Sequence, residues 1–180
     1  MADVFRLATG TVVDILKRGG VGVLPNDTIY GLVASVYEQR AVERVYKIKR
    51  RDKDKPVIVL IDTQKRLHEF GIDVSDKVDR LLRKVWPGPI SIIFNDIGNG
   101  WKHIHRGTGG IAFRIPKSST LRQLLKKVGP IIAPSANLQK QPYAKNISEA
   151  RAYFGDMVDF YVDTGSHTGE SSIIIEIHRS

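Results

Sequence analysis

Val21-Gly22-Val23-Leu24-Pro25-Asn26-Asp27-Thr28-Ile29-Tyr30-Gly31-Leu32 is the stretch on which the fold turns. Val21–Leu24 reads as a buried strand, because Gly19-Gly20 stop the short helix predicted over Thr11–Arg18 and Pro25 ends the apolar run. Polar residues follow at once, so the strand delivers an amide, a carboxylate and a hydroxyl to one end of a sheet. Two further segments repeat this exit. Lys49-Arg50-Arg51-Asp52-Lys53-Asp54-Lys55-Pro56 leaves a helix predicted over Arg40–Lys49, and Ala133-Pro134-Ser135-Ala136-Asn137 leaves a strand predicted over Ile131–Pro134. Three such exits at one sheet end bring together hydroxyls, amides and a dense set of cations. That donor set suits an anion, and a nucleoside triphosphate in particular.

Working outward, Val57–Ile61 is an unbroken apolar strand that reads as covered on both faces. Helices are predicted near Gln64–Phe70, Asp76–Val85, Ser119–Val128 and Ser148–Phe154. Strands are predicted at Ile90–Phe94, Ile111–Ile115, Phe160–Val162 and Ser172–Ile177. Trp86-Pro87-Gly88-Pro89 forces a turn, and Asn95–Thr108 reads as a Gly- and Asn-rich loop. Strand and helix alternate without strict βαβ regularity, which predicts an α/β fold with a twisted mixed sheet flanked by helices. The 180 residues suffice for one domain with its own core, and with no Ser/Gly/Pro linker inside the chain the expected domain is 1–180. No apolar run reaches membrane-spanning length, and Met1–Arg6 lack the features of a secretory signal, so a cytosolic protein is expected. The absence of cysteine removes disulfides, thiol nucleophiles and thiolate metal sites together.

The formal charge is +9 and unevenly placed, with eight basic residues against three acidic ones between Arg40 and Lys55. Arg40, Arg44 and Lys47 share an exposed helical stripe opposite Ala41, Val45 and Ile48. Lys49, Arg51 and Lys55 lie where that periodicity stops and are the candidates for chemistry. No Walker loop, no strand-to-helix dinucleotide turn and no nucleophile elbow is present. A triphosphate would therefore be held by side chains, with Lys as a point charge and Arg as a fork. Pro134-Ser135-Ala136-Asn137 either caps its own turn or presents a hydroxyl and an amide side by side. Arg114, at the end of the apolar run Ile111-Ala112-Phe113, either sits at a sheet edge or binds a carboxylate. His103-x-His105 has no carboxylates near it in sequence to make it a metal site, and Trp86 and Trp101 read as core and loop anchors. The basic excess would also suit RNA, although no RNP, KH or zinc-knuckle pattern accompanies it.

Taken together, these segments resemble the YrdC/Sua5 family, the threonylcarbamoyl-AMP synthases of tRNA modification. Pro25–Leu32 resembles the family's Pro-Thr-Asp/Glu-Thr-Val-Tyr-Gly-Leu, Lys49-x-Arg51 its Lys-x-Arg, and Trp86–Pro89 its Trp-Pro-Gly-Pro. Ala112–Pro116 resembles Val-Arg-x-Pro, Ala133–Asn137 the Ser-Ala-Asn segment, and Ser171-Ser172-Ile173 the late Ser-Thr-Ile. The resemblance implies a YrdC-like fold with a concave basic cleft and an L-threonylcarbamoyladenylate synthase activity, a nucleotidyl transfer from ATP. It implies that Thr28, Arg114 and Ser171 hold threonine, and that Lys49, Arg51, Lys55, Ser135, Asn137 and Tyr143 line the ATP side, with Lys49 and Arg51 catalytic. It further implies Mg2+ carried on the phosphates, bicarbonate as co-substrate, and downstream tRNA threonylcarbamoyl-transfer proteins as partners, with weak RNA binding besides. A binding module of the same fold for double-stranded or ribosomal RNA is the alternative. The chain departs from the pattern at Asn26, Asp52, Gly110 and Gln139-Lys140.

Overall fold

The computed structural model describes residues 2–6, 10–27, 29–169 and 172–176. In chain order its elements are β1 (Asp3–Phe5), α1 (Gly10–Lys17), β2 (Gly22–Pro25), β3 (Tyr30–Ser35), α2 (Gln39–Lys49), β4 (Ile58–Leu60), α3 (Asp76–Val85) and β5 (Ile90–Phe94). There follow α4 (Lys102–His105), β6 (Ile111–Arg114), α5 (Ser119–Val128), β7 (Ile131–Ile132), α6 (Ile147–Phe154), β8 (Phe160–Val162) and β9 (Ile173–Glu176). The strands form one sheet in the order β1-β8-β2-β3-β7-β4-β6-β5-β9. Its pairings are mixed: β2 with β3 and β5 with β6 run antiparallel, whereas β4 with β6 and β5 with β9 run parallel.

Both faces of the sheet are covered, because the central strands carry apolar residues at successive positions. In β3, Leu32 and Ala34 face one core with Val42, Val45 and Tyr46 of α2, while Val33 faces the other with Val12 and Leu16 of α1 and Leu121 and Leu125 of α5. Local signals set the helix ends. Ser75, Ser118 and Asn146 accept from the backbone N–H three residues on, which starts α3, α5 and α6. α2 ends because Arg50 adopts the left-handed conformation (φ 52°), from which its own N–H reaches Lys47 O and that of Arg51 reaches Tyr46 O at 2.9 Å.

Four expectations change. Two strands were not predicted: Tyr30–Leu32, at the end of the Pro25–Leu32 motif, already belong to the buried β3, and Asp3–Phe5 is an additional edge strand. Gln64–Phe70 is a 3-10 helix closed by Gly71 at φ 74°. The stretch Asn95–Thr108 contains a 3-10 turn and α4, pinned by the Trp101 ring 4.3 Å from Phe70 and by His103 Nε2 against Val36 O at 2.8 Å. Tertiary packing there outweighs the Gly- and Asn-rich composition.

Candidate active site

The last residue of α2 aims inward. Lys49 is 3% exposed, and its Nζ meets Ser135 O at 2.7 Å, Asn137 O at 3.0 Å, Asn137 Oδ1 at 2.5 Å and Ser135 Oγ at 3.3 Å. Ser135 Oγ donates in turn to Asn137 Oδ1 at 2.7 Å, and the N–H of Gln139 donates to Lys49 O. The Ser-Ala-Asn segment is also laddered to β3, with Leu32 N on Pro134 O and Ala136 N on Tyr30 O. Four oxygens around one ammonium exceed its three protons. Burial and the nearby Arg51 guanidinium push the Lys49 pKa down to about 7.

Arg51 is half-buried and holds the chain before β4 by donating from Nη2 to Pro56 O at 2.7 Å. It opens onto a cavity of about 530 Å³ lined also by Pro56, Val57, Ile58, Ile93, Asn95, Thr108, Gly110, Ala112, Pro134, Ser135, Ile174 and Glu176. The floor is one row of the sheet: Glu176 of β9 lies opposite Ile93 of β5, Ile93 opposite Ala112 of β6, and Ala112 opposite Ile58 of β4. Gly110 sits in the wall where an added Cβ would stand 2.7 Å from Asn95 Oδ1, which excludes a larger residue without displacing Asn95. The described lining holds one cation, Arg51, and one carboxylate, Glu176, a less basic surface than the sequence led us to expect.

Arg114 follows Ala112 on the same face of β6 and pairs with Leu60. It is 4% exposed, and its one hydrogen bond runs from Nη2 to Asn26 O at 3.1 Å. Nε and Nη1 are buried without a partner, as is Asn26 Oδ1. Burial pushes the Arg114 pKa down, and the Asp27 carboxylate opposes that shift. A buried guanidinium with Nε and Nη1 unspent still has donors for a carboxylate, which can approach along either edge that these nitrogens share with Nη2.

A profile of the Sua5/YciO/YrdC family, described as telomere recombination, matches residues 14–180. The chain belongs to that family. It is 30% identical over 165 residues to a Mycobacterium leprae protein provisionally named threonylcarbamoyl-AMP synthase, covering 92% of this chain and 75% of that protein. The threonylcarbamoyl-AMP synthase of Pseudoalteromonas translucida is 30% identical over 163 residues, 88% of this chain and 87% of that enzyme. Among solved structures, Pyrococcus abyssi Sua5 complexed with L-threonine superposes with a TM-score of 0.87 at 23% identity, over 98% of this chain and 54% of that one. The fold is thus shared, although this chain spans about half the length of the archaeal protein.

Of the positions that the Sua5/YciO/YrdC resemblance picks out, the structure brings Lys49, Ser135 and Asn137 into one hydrogen-bonded cluster and puts Arg51 and Ser135 in one cavity. Lys55 is exposed and outside the lining, and Tyr143 donates its hydroxyl to Gly169 O at 3.0 Å. Thr28 and Ser171 lie outside the described residues. A second cavity, of about 440 Å³, opens where β2, β8 and α5 meet. There the Asp27 carboxylate accepts from the N–H groups of Lys117 and Ser118 at 2.6 and 2.7 Å. The sequence reading missed Asn95, Thr108 and Glu176. The available signal was a polar residue directly after β5 and another closing β9.

Proposed function

We propose that this chain is an L-threonylcarbamoyladenylate synthase, converting L-threonine, bicarbonate and ATP into threonylcarbamoyl-AMP and pyrophosphate for the t6A modification of tRNA. The observation that carries the reading is Arg114, a buried guanidinium with two unspent N–H groups beside the floor of a nucleotide-sized cavity. An amino-acid carboxylate would take Nε or Nη1, with Nη2 as the second prong of the fork, and Thr28 and Ser171 complete the threonine side. The names of the bacterial relatives support the same activity.

The threonine amine attacks the carbon of bicarbonate, losing water to form the carbamate. A carbamate oxygen then forms a bond to the α-phosphorus while the bond to the bridging oxygen of pyrophosphate breaks. This chemistry rests on positioning and charge neutralisation more than on proton transfer. Arg51 takes the phosphates, aided by Lys55 from outside the lining, with Ser135, Asn137 and Tyr143 on the nucleotide side. Lys49 holds the Ser135–Asn137 turn in shape and adds its charge through it. Among the described residues no cluster of three or more His, Cys, Asp or Glu could hold a metal, and the cavity carries a single carboxylate. Mg2+ would travel on the phosphates, whose charge it would neutralise. The product would pass to tRNA threonylcarbamoyl-transfer proteins in the cytoplasm. Among the described residues no helix is long and apolar enough to cross a membrane. A nonspecific RNA-binding module is not favoured, because such binding needs exposed distributed charge whereas Lys49 and Arg114 are buried.

Incubation with ATP, threonine and bicarbonate tests the reading through release of pyrophosphate and formation of the adenylate. Threonine should be strongly preferred to valine, which has its shape without the hydroxyl. Equal turnover of the two would remove threonine as the substrate. Arg51→Ala should weaken ATP binding by about 1.5–3 kcal/mol, the range for hydrogen bonds to charged groups; unchanged affinity by calorimetry would move the phosphates elsewhere.

A further inference from the structure

The two ends of the larger cavity differ in the side chains that the described lining places there. Arg51 stands at its β4 side, and at its β9 side the Glu176 carboxylate accepts from Asn95 Nδ2 at 2.8 Å. Between them runs the floor row Ile58, Ala112, Ile93. The row from β4 to β9 crosses three strand spacings, roughly 14 Å from backbone to backbone. Side chains reaching in from both ends leave a span that suits a nucleotide lying across the strands. Arg51, the cation of the described lining, sets the orientation, because its guanidinium is the group there that suits phosphate oxygens. The phosphates go to Arg51 and the nucleoside end goes to Glu176.

We propose that Asn95 and Glu176 form a nucleoside-reading subsite, in which the Glu176 carboxylate accepts hydrogen bonds from donors on the nucleoside and Asn95 fixes its orientation. This rests on the nucleotide reading given above and adds which end of the nucleotide lies where and what recognises it. The apolar floor supports it, since Ile58, Ala112, Ile93 and Ile174 offer a surface for a sugar edge or base and nothing for phosphate. Gly110 supports it too, because its missing side chain is what leaves room for the Asn95 amide in the wall. A carboxylate can serve either the ribose hydroxyls or the exocyclic amine of adenine, two sources of the same donor chemistry.

Calorimetric titration with ATP, 2′-deoxyATP, 3′-deoxyATP and inosine triphosphate separates them. The unmodified protein should bind ATP about tenfold more tightly, or better, than at least one analogue, and the analogue that fails identifies the donor. Glu176→Ala should erase that gap by weakening ATP while leaving the failing analogue where it was. Asn95→Ala should narrow it. Because β9 is an edge strand with an exposed side chain at 176, Glu176→Ala is compatible with folding, and Asn95→Ala tests the same subsite from β5. Arg51→Ala serves as the phosphate-end control and should weaken all four nucleotides alike. Equal binding of all four by the unmodified protein would overturn the subsite, and so would an equal loss with all four in Glu176→Ala, which would mark a general charge effect. In both cases the nucleotide reading stands. Failure of every nucleotide to bind would overturn the two together.

Discussion

Two buried cations of this chain are treated in opposite ways. Lys49 is surrounded by four oxygens of the Ser135–Asn137 turn, and every proton it carries has a place to go. Arg114, equally buried, donates once to Asn26 O and leaves Nε and Nη1 unspent. A satisfied buried network rigidifies, whereas an unsatisfied one raises the free energy of the empty site and releases it when a ligand arrives. The comparison assigns Lys49 to architecture and Arg114 to recognition, although both stand in motifs that the family resemblance marks as site residues.

The largest effect on stability should follow from breaking the satisfied side. Lys49→Met keeps the length of the side chain and removes the donor, leaving Ser135 O and Asn137 O buried and facing nothing. Loss of about 2–4 kcal/mol in chemical denaturation is expected, from one to two stranded acceptors at the usual penalty. Threonine affinity should fall less than ATP affinity, because the turn that loosens borders the cavity to which we assign ATP. An undiminished stability would show that Lys49 is a free cation and would dissolve the contrast with Arg114.

A smaller effect comes from pH. The Lys49 pKa is lowered from 10.5 to about 7 in the folded chain, so between those values the unfolded chain holds a proton that the folded one has released. The slope of unfolding free energy with pH is then positive. The burden of the buried ammonium is fully present below about pH 7 and is relieved as pH rises toward 10.5. From pH 7 to 9 the wild type should gain stability relative to Lys49→Met, by roughly 1 kcal/mol per pH unit at most. Tyr37 and Tyr161 are both raised and act in the opposite sense at higher pH, which is why the lower window and the difference profile are the ones to measure. Parallel profiles for the two proteins would mean that the ammonium is not under strain.

Most of this fold was legible because its signals are local. Apolar runs such as Val57–Ile61 and Ile111–Ile115 announce covered strands, and Ser118 and Asn146 announce helix starts. β1 and β3 were not legible: three residues give no periodicity, and Tyr30–Ser35 was masked by reading its first residues as part of a polar motif. For the site, residue types were readable but their state was not. Nothing in Lys49-x-Arg51 says that the first cation turns inward and the second faces a cavity, because that depends on the left-handed turn at Arg50. Asn95 and Glu176 meet only because β5 and β9, far apart in sequence, lie side by side.

The smallest effect on stability, and the sharpest test of the contrast, belongs to Arg114. Removing an uncompensated buried charge by a well-packed apolar residue is often neutral or stabilising, because the desolvation penalty goes with it. Arg114→Met deletes two unspent donors and strands only the carbonyl of Asn26, so the net change should lie within about 1 kcal/mol of zero. Threonine binding should be abolished all the same, while ATP affinity holds. Arg114→Lys adds the finer distinction, since an ammonium restores the charge without the planar fork. It should recover the fold and ATP binding but regain little of the affinity for threonine. If Arg114→Met instead cost as much stability as Lys49→Met, or if Arg114→Lys lost ATP and threonine together, Arg114 would be a strut like Lys49 and the division of the site between the two cations would fail.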